Sequence, residues 1–159
     1  MALAADETAA DVADTAPTPA KIPRGRGERI LLVEDEPGVR DFTLSALRQY
    51  GYQPYPADNC AAAEEIFATA QQPFDLLFTD VVLPDKTGLD LADSLRQRQP
   101  NLRLLFSSGY MDEKSRWSVI RDQGYPFLQK PYALSQLLFA IRSTLDLPPP
   151  LDFSRLTGV

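Results

Sequence analysis

Glu34 and Asp35 close the apolar run Ile30-Leu31-Leu32-Val33, and Asp80 closes Leu76-Leu77-Phe78-Thr79. Ser107 and Ser108 close Leu104-Leu105-Phe106, and Lys130 closes Phe127-Leu128-Gln129. If these runs are parallel strands, all of these polar groups meet at one edge of one sheet. Open α/β sheets bind their ligands there, outside the carboxyl ends of the strands. Three carboxylates, a hydroxyl and an ammonium suit a divalent cation together with a phosphoryl group.

Asp80 is the candidate nucleophile, because a carboxylate can accept a phosphoryl group to form an acyl phosphate. Attack on phosphorus requires the donor's charge to be neutralised, and Mg²⁺ does this. Mg²⁺ takes one or two carboxylates and keeps several waters. Asp35 with Asp80 meets that demand, and Glu34 can hold a metal-bound water. One strand-end acid commonly caps a following helix, but three at adjacent strand ends fit that role poorly. Lys130 is the candidate phosphate partner, with a charge-assisted contact worth about 1.5–3 kcal/mol. Most lysines are solvated surface residues. Here Pro131 follows, and a Lys-Pro step can take a cis bond that fixes the lysine's direction. Ser108 can donate its hydroxyl to the same group, with Ser107 as the register alternative and an ordinary turn serine before Gly109 as the plainer role.

The elements that must position these groups alternate along the chain. Pro37 suits the first turn of a helix running to Tyr50, with Val39, Phe42, Ala46, Leu47 and Tyr50 on its apolar face and Gly51 ending it. Gln53 to Ala57 reads as a strand. Asp58 or Asn59 caps a second helix to about Gln72, with Ala62, Ile66 and Ala70 inward. Phe74 to Thr79 is the third strand, and the turn cluster Pro84-Asp85-Lys86-Thr87-Gly88 follows it. A helix to about Gln99 buries Leu91, Ala92 and Leu95, and Leu102 to Ser107 is the fourth strand. Residues 110–123 are polar with poor periodicity, although Met111, Val119 and Ile120 can face a core. Phe127 to Gln129 is the fifth strand. Leu134, Leu137, Leu138, Ile141 and Leu145 form the clearest helical face, stopped by Pro148-Pro149-Pro150. Five such units predict a doubly wound, flavodoxin-like α/β fold: one domain with a five-stranded parallel sheet in the order 2-1-3-4-5. Strands 1 and 3 then lie side by side at the switch point, ending in Asp35 and Asp80.

The rest of the composition narrows the function. The chain has 159 residues and a net charge of −6, four of those charges being Asp6, Glu7, Asp11 and Asp14. The remaining −2 includes no basic stripe, so direct nucleic-acid binding has little electrostatic support. No apolar stretch approaches the ~20 residues of a membrane span, and the N-terminus lacks the pattern of a signal peptide. A cytoplasmic location is the default expectation. Cys60 is the only cysteine and there is no histidine, which excludes a disulfide framework, Cys or His metal sites and His-based catalysis. Residues 1–28 carry few large apolar side chains and read as a flexible extension or linker. Residues 29–147 form the domain and 148–159 a tail in which Leu151 and Phe153 can dock.

The residues also carry a family resemblance. Glu34-Asp35, the run Thr79-Asp80-Val81-Val82-Leu83-Pro84-Asp85 with Gly88, the Ser108-Gly109-Tyr110 step and Lys130-Pro131-Tyr132 resemble a response-regulator receiver domain of two-component signalling. The similarity covers roughly residues 28–146, with five separated positions agreeing in order and spacing. It implies Asp80 as phosphoacceptor, and Glu34, Asp35, Asp80 and the Val82 carbonyl as the Mg²⁺ set. Ser108 and Lys130 would bind the phosphoryl oxygens, and Ser108 and Phe127 would be the switch positions. Val82 and Tyr110 would flank the path of attacking water. The implied partner is a histidine kinase or histidine phosphotransfer protein. The Glu-Asp acid pair stands where Asp-Asp is usual. The Ser-Gly-Tyr step, followed by Met111-Asp112-Glu113, resembles receivers fused to hybrid histidine kinases and also stand-alone receivers with a reduced fourth helix, and the lead-in from Gly25 to Ile30 is similar to linkers preceding receivers at the end of hybrid kinases.

Other readings fit less well. A haloacid-dehalogenase-like phosphatase requires an acid two residues after its nucleophile, where this chain has Val82. A flavin-binding flavodoxin requires a hydroxyl- and Gly-rich phosphate loop after the first strand, where Glu34-Asp35-Glu36 would repel a cofactor phosphate. A docking module of the same fold that is never phosphorylated leaves Asp80, Lys130 and the acid pair without a purpose.

Overall fold

The computed structural model describes residues 22–109 and 119–148. Its elements are β1 (Arg29–Val33), α1 (Pro37–Gln49), β2 (Gln53–Ala57), α2 (Cys60–Thr69), β3 (Leu76–Asp80), α3 (Gly88–Arg98), β4 (Arg103–Ser108), β5 (Phe127–Gln129) and α4 (Leu134–Asp146). The five strands form one sheet in the order β2-β1-β3-β4-β5, every neighbouring pair parallel, as expected. Residues 119–122 are also helical and bury Ile120. Tyr110, Met111 and the rest of 110–118 lie outside the described residues, as do 1–21 and the tail from 149, with Leu151 and Phe153.

Strand residues alternate faces, and the sheet builds a core on each. Leu31, Val33, Leu77, Leu104 and Phe106 pack with Ala63, Leu91 and Leu95 of α2 and α3. Ile30, Leu32, Leu76, Phe78 and Leu105 pack with Ala46 and Leu47 of α1 and with Leu137, Leu138 and Ile141 of α4. Burial on both faces is why the strands read as continuous apolar runs. Among the described residues, no helix is long and apolar enough to cross a membrane.

Local chemistry moves several expected boundaries. α2 ends at Thr69 rather than Gln72, Ala70 already having extended backbone; Gln72, next to Pro73, is itself disfavoured as helix. β3 begins at Leu76 rather than Phe74 and includes Asp80, while β4 runs from Arg103 through Ser108. Phe42 does not join the buried face of α1. It is 43% exposed, 6.3 Å from the Tyr132 ring centre, while the neighbouring Thr43 is buried and hydrogen-bonds the Tyr132 hydroxyl at 2.7 Å.

Residues 22–28, expected within the loose lead-in, are bonded to the domain. The Gly25 and Gly27 amides donate to the Tyr50 and Gly51 carbonyls at 2.6 and 2.7 Å. Arg24 donates to the Gln49 carbonyl, and Arg142 of α4 reaches both the Arg24 carbonyl and Glu28. This closeness requires glycine. A Cβ on Gly25 would stand 2.5 Å from the Tyr52 ring, and Gly51, at φ +96°, faces the Gly25 carbonyl. Gly25→Ala should therefore cost about 1–3 kcal/mol in thermal unfolding, the range for overpacking. Gly38→Ala, with open space around its Cβ position, should be neutral or stabilising by up to ~1 kcal/mol through helix propensity. Equal midpoints for the two variants would show that the strap does not hold.

Candidate functional site

Strand register assembles the polar edge. Val33 pairs with Thr79, so the residues that follow, Glu34 and Asp80, leave adjacent strands at the same level. Asp80 pairs with Ser107, and Ser108 pairs with Gln129, the residue before Lys130. The Lys130 amide donates to the Ser108 carbonyl at 2.9 Å, extending that ladder by one bond. Asp35, Asp80, Val82, Ser108, Lys130 and Pro131 line one cavity of about 490 Å³. Ser108 lines this cavity, and Ser107 is not among its lining residues. Phe127 is half-buried and packs against the core on the α2–α3 side of the sheet.

Lys130 is the hub. Its ammonium, 11% exposed, lies 2.8 Å from Asp80 Oδ2, 2.9 Å from Glu36 Oε1, and 3.2 and 3.3 Å from the two oxygens of Glu34. An ammonium has three N–H donors, one for each of these carboxylates. The Lys130-Pro131 bond is cis. Two residues on, Tyr132 ties its hydroxyl to Thr43 of α1, which anchors the segment that carries the lysine. Burial raises the Tyr132 phenol to about 12, so it remains protonated.

The acids are held as tightly. Glu34 is 2% exposed and Asp80 6%. The Glu36 amide donates to Glu34 Oε2 at 3.1 Å, and Arg40 donates to the Glu34 carbonyl at 2.8 Å. Burial pushes the Asp80 and Glu34 carboxyls above their ordinary values, with Lys130 working against the rise at both. The Val82 amide also donates to Asp80 and pulls it down. Burial alone would lower the Lys130 pKa, but its bonds to Asp80 and Glu36 outweigh that and hold the lysine charged.

One oxygen each from Glu34, Asp35 and Asp80 lie within 4.8 Å of one another. With Glu36 counted, four carboxylates gather at this edge against the Lys130 ammonium and the Arg40 guanidinium, so negative charge remains in excess when all are ionised. Hard oxygen donors with excess negative charge are the donor set a Mg²⁺ ion takes, so the residues fit the expected cation. Glu36 was not singled out by the sequence as a lysine partner. Its signal was weak, one more acid next to a pair, and its side chain is largely exposed.

Residues 30–142 match the family model described as the response regulator receiver domain. Sensor kinase CckA of Brucella abortus (strain 2308) is 33% identical over 117 residues, which span 74% of this chain but only 12% of that kinase. The response regulator receiver protein CpdR of the same organism is 33% identical over 118 residues, 74% of this chain and 97% of CpdR. Among solved structures, the non-phosphorylated receiver domain of HemR from Leptospira biflexa has a TM-score of 0.67 at 29% identity. That match covers 79% of this chain and 99% of the other.

Proposed function

The chain belongs to the response regulator receiver family, a phosphoacceptor module of two-component signalling, and from that premise we propose that Asp80 is the residue that takes the phosphoryl group. The observation that carries this is the grouping at one sheet edge: Lys130 at 2.8 Å from Asp80, with Glu34 and Asp35 oxygens close by. An Asp80 carboxylate oxygen forms the new O–P bond while the donor's P–N bond breaks, and the product is an acyl phosphate. The donor is a histidine kinase or a histidine phosphotransfer protein.

Glu34, Asp35, Asp80 and the Val82 carbonyl would hold Mg²⁺, which when bound neutralises charge on the phosphoryl oxygens. Lys130 keeps its charge and transfers its contact from Asp80 to a phosphoryl oxygen. Ser108 donates its hydroxyl to the same group, and movement there reaches Phe127 on the adjoining strand, changing the surface offered to a downstream protein. The receiver unit runs over residues 29–147, with 1–28 as a lead-in whose last seven residues strap onto it and 148–159 as the tail.

Acetyl phosphate should phosphorylate the protein on Asp80 in Mg²⁺ and leave it unmodified in chelator. Phosphate located on another residue, modification of Asp80→Asn, or full modification in chelator would overturn the assignment. In the beryllofluoride adduct, backbone NMR shifts should reach residues 107–111 and 126–132. Shifts confined to the loops at Asp35 and Asp80 would remove the switch.

A further inference from the structure

The loop from Val81 to Thr87 carries the Val82 carbonyl assigned above to the cation, and it ties itself to α2 in an unusual way. Its base is closed internally. Val82 and Thr87 form a bridge, the Gly88 amide donates to the Val81 carbonyl at 2.7 Å, and Gly88 leaves no room for a Cβ against the Asp80 carbonyl. Leu83 is buried in the α2–α3 core and Cys60 Sγ reaches the Thr87 carbonyl, while the exposed tip is tied to α2 by Asp85. Asp85 Oδ1 accepts the Cys60 amide and Oδ2 accepts the Ala61 amide, both at 3.0 Å, and the Lys86 amide also donates to Oδ1.

Cys60 and Ala61 are the first two residues of α2, whose amides have no partner inside the helix. Asn59, the residue capping α2 from its own segment, takes the Ala62 amide on its side chain and the Ala63 amide on its carbonyl, leaving Cys60 and Ala61 to Asp85. Asp85 itself is exposed, so burial does not hold it in place. α2 is fixed to the sheet through the fully buried Cys60 and Ala63. A carboxylate gripped through both oxygens is fixed in position and rotation, so the loop takes its alignment from that frame.

We propose that Asp85 is a positioning residue for the cation site: by clamping the 81–87 loop to the start of α2, it aims the Val82 carbonyl at the space beside Asp35 and Asp80. The inference rests on the reading of Val82 as a cation ligand. Two variants separate positioning from simple helix capping. Asp85→Ala and Asn59→Ala each remove a cap from α2, and both should lower the thermal midpoint. Only Asp85 also holds the loop. Magnesium titration of the intact chain, followed by calorimetry or NMR, should show Asp85→Ala with Kd raised about 10-fold, the lower end for residues that orient a metal ligand. Asn59→Ala should bind as the wild type does. Asp85→Asn keeps an acceptor for one amide and should recover part of the loss.

A Kd for Asp85→Ala within twofold of the wild type overturns the proposal. So does an equal weakening in Asn59→Ala, which would make fraying of α2 the cause. Asp35→Asn reports on the underlying reading. If it binds magnesium as tightly as the wild type, or if the wild type binds none, the cation site itself fails, and the proposal falls with it. Weak binding by Asp35→Asn beside normal binding by Asp85→Ala overturns the positioning role alone.

Discussion

Lys130→Met should leave a metal-free protein about 3–5 kcal/mol less stable at pH 7, the cost of removing one partner from a buried ion pair. The ammonium is the shared counter-charge of Glu34 and Asp80, both almost fully buried, and of the exposed Glu36. Methionine conserves most of the volume but strands two interior carboxylates beside each other. The deficit has a pH signature. Burial already raises the Asp80 and Glu34 pKa values in the folded protein, and Lys130 is what restrains the rise. A carboxyl whose folded pKa lies above its unfolded value contributes stability that is complete below the unfolded value, about 4, and is lost as pH rises through the folded value. Removing Lys130 raises the folded values further. The variant should therefore regain stability on acidification, and its deficit against the wild type should shrink toward pH 4. Urea denaturation in chelator at pH 7 and pH 4 reads this directly. A deficit under ~1 kcal/mol at pH 7 would show that Lys130 is no such hub. A deficit that stays constant between the two pH values would assign the loss to packing rather than to charge.

The same lysine marks how far the sequence could be read. Position at the end of an apolar run was enough to bring Glu34, Asp35, Asp80, Ser108 and Lys130 together, because β1, β3 and β4 are buried on both faces and leave a continuous apolar signature, and register brings the half-buried β5 alongside. What Lys130 touches was less legible. Its bond to Glu36 spans 94 residues and involves a largely exposed side chain ahead of α1. The exchange of Phe42 for Thr43 on the inner side of α1 follows from the buried Tyr132 hydroxyl, which requires a polar partner. A partner of that kind is fixed by tertiary structure and leaves no trace in helical spacing. The strap at residues 22–28 escaped for a similar reason. Backbone-to-backbone bonds carry no hydrophobic pattern, and Gly25 and Gly51 look like linker and turn glycines until their closeness is seen. Asp85 reads as a turn residue, yet two of its bonds go to a helix that begins 25 residues earlier.

Val82→Asn should shorten the life of the phosphoryl group. The Val82 side chain is 43% exposed and lines the same cavity as Asp80, so it borders the approach of water to an acyl phosphate formed there. It offers no oxygen or nitrogen to orient that water. General-base help is worth ~10²–10⁴-fold. A carboxamide supplies positioning without a base, so loss should quicken by about 10-fold, short of that full range. Charge alone would act differently: Val82→Asp brings a base but also adds a carboxylate to a site already in negative excess. Asn is therefore the cleaner test, and Val82→Leu is the control that keeps the wall apolar. Tyr110, outside the described residues, is expected from the sequence to flank the other side of the path. Tyr110→Ala should also speed the loss if its ring shields the phosphoryl group. Each protein is phosphorylated in Mg²⁺, freed of donor, and followed as the acyl phosphate decays. Decay of Val82→Asn at or below the wild-type rate, with Val82→Leu unchanged, would show that water reaches the phosphorus by a route these side chains do not border. An identical acceleration in Val82→Leu would point instead to a disturbed loop, since leucine can orient no water.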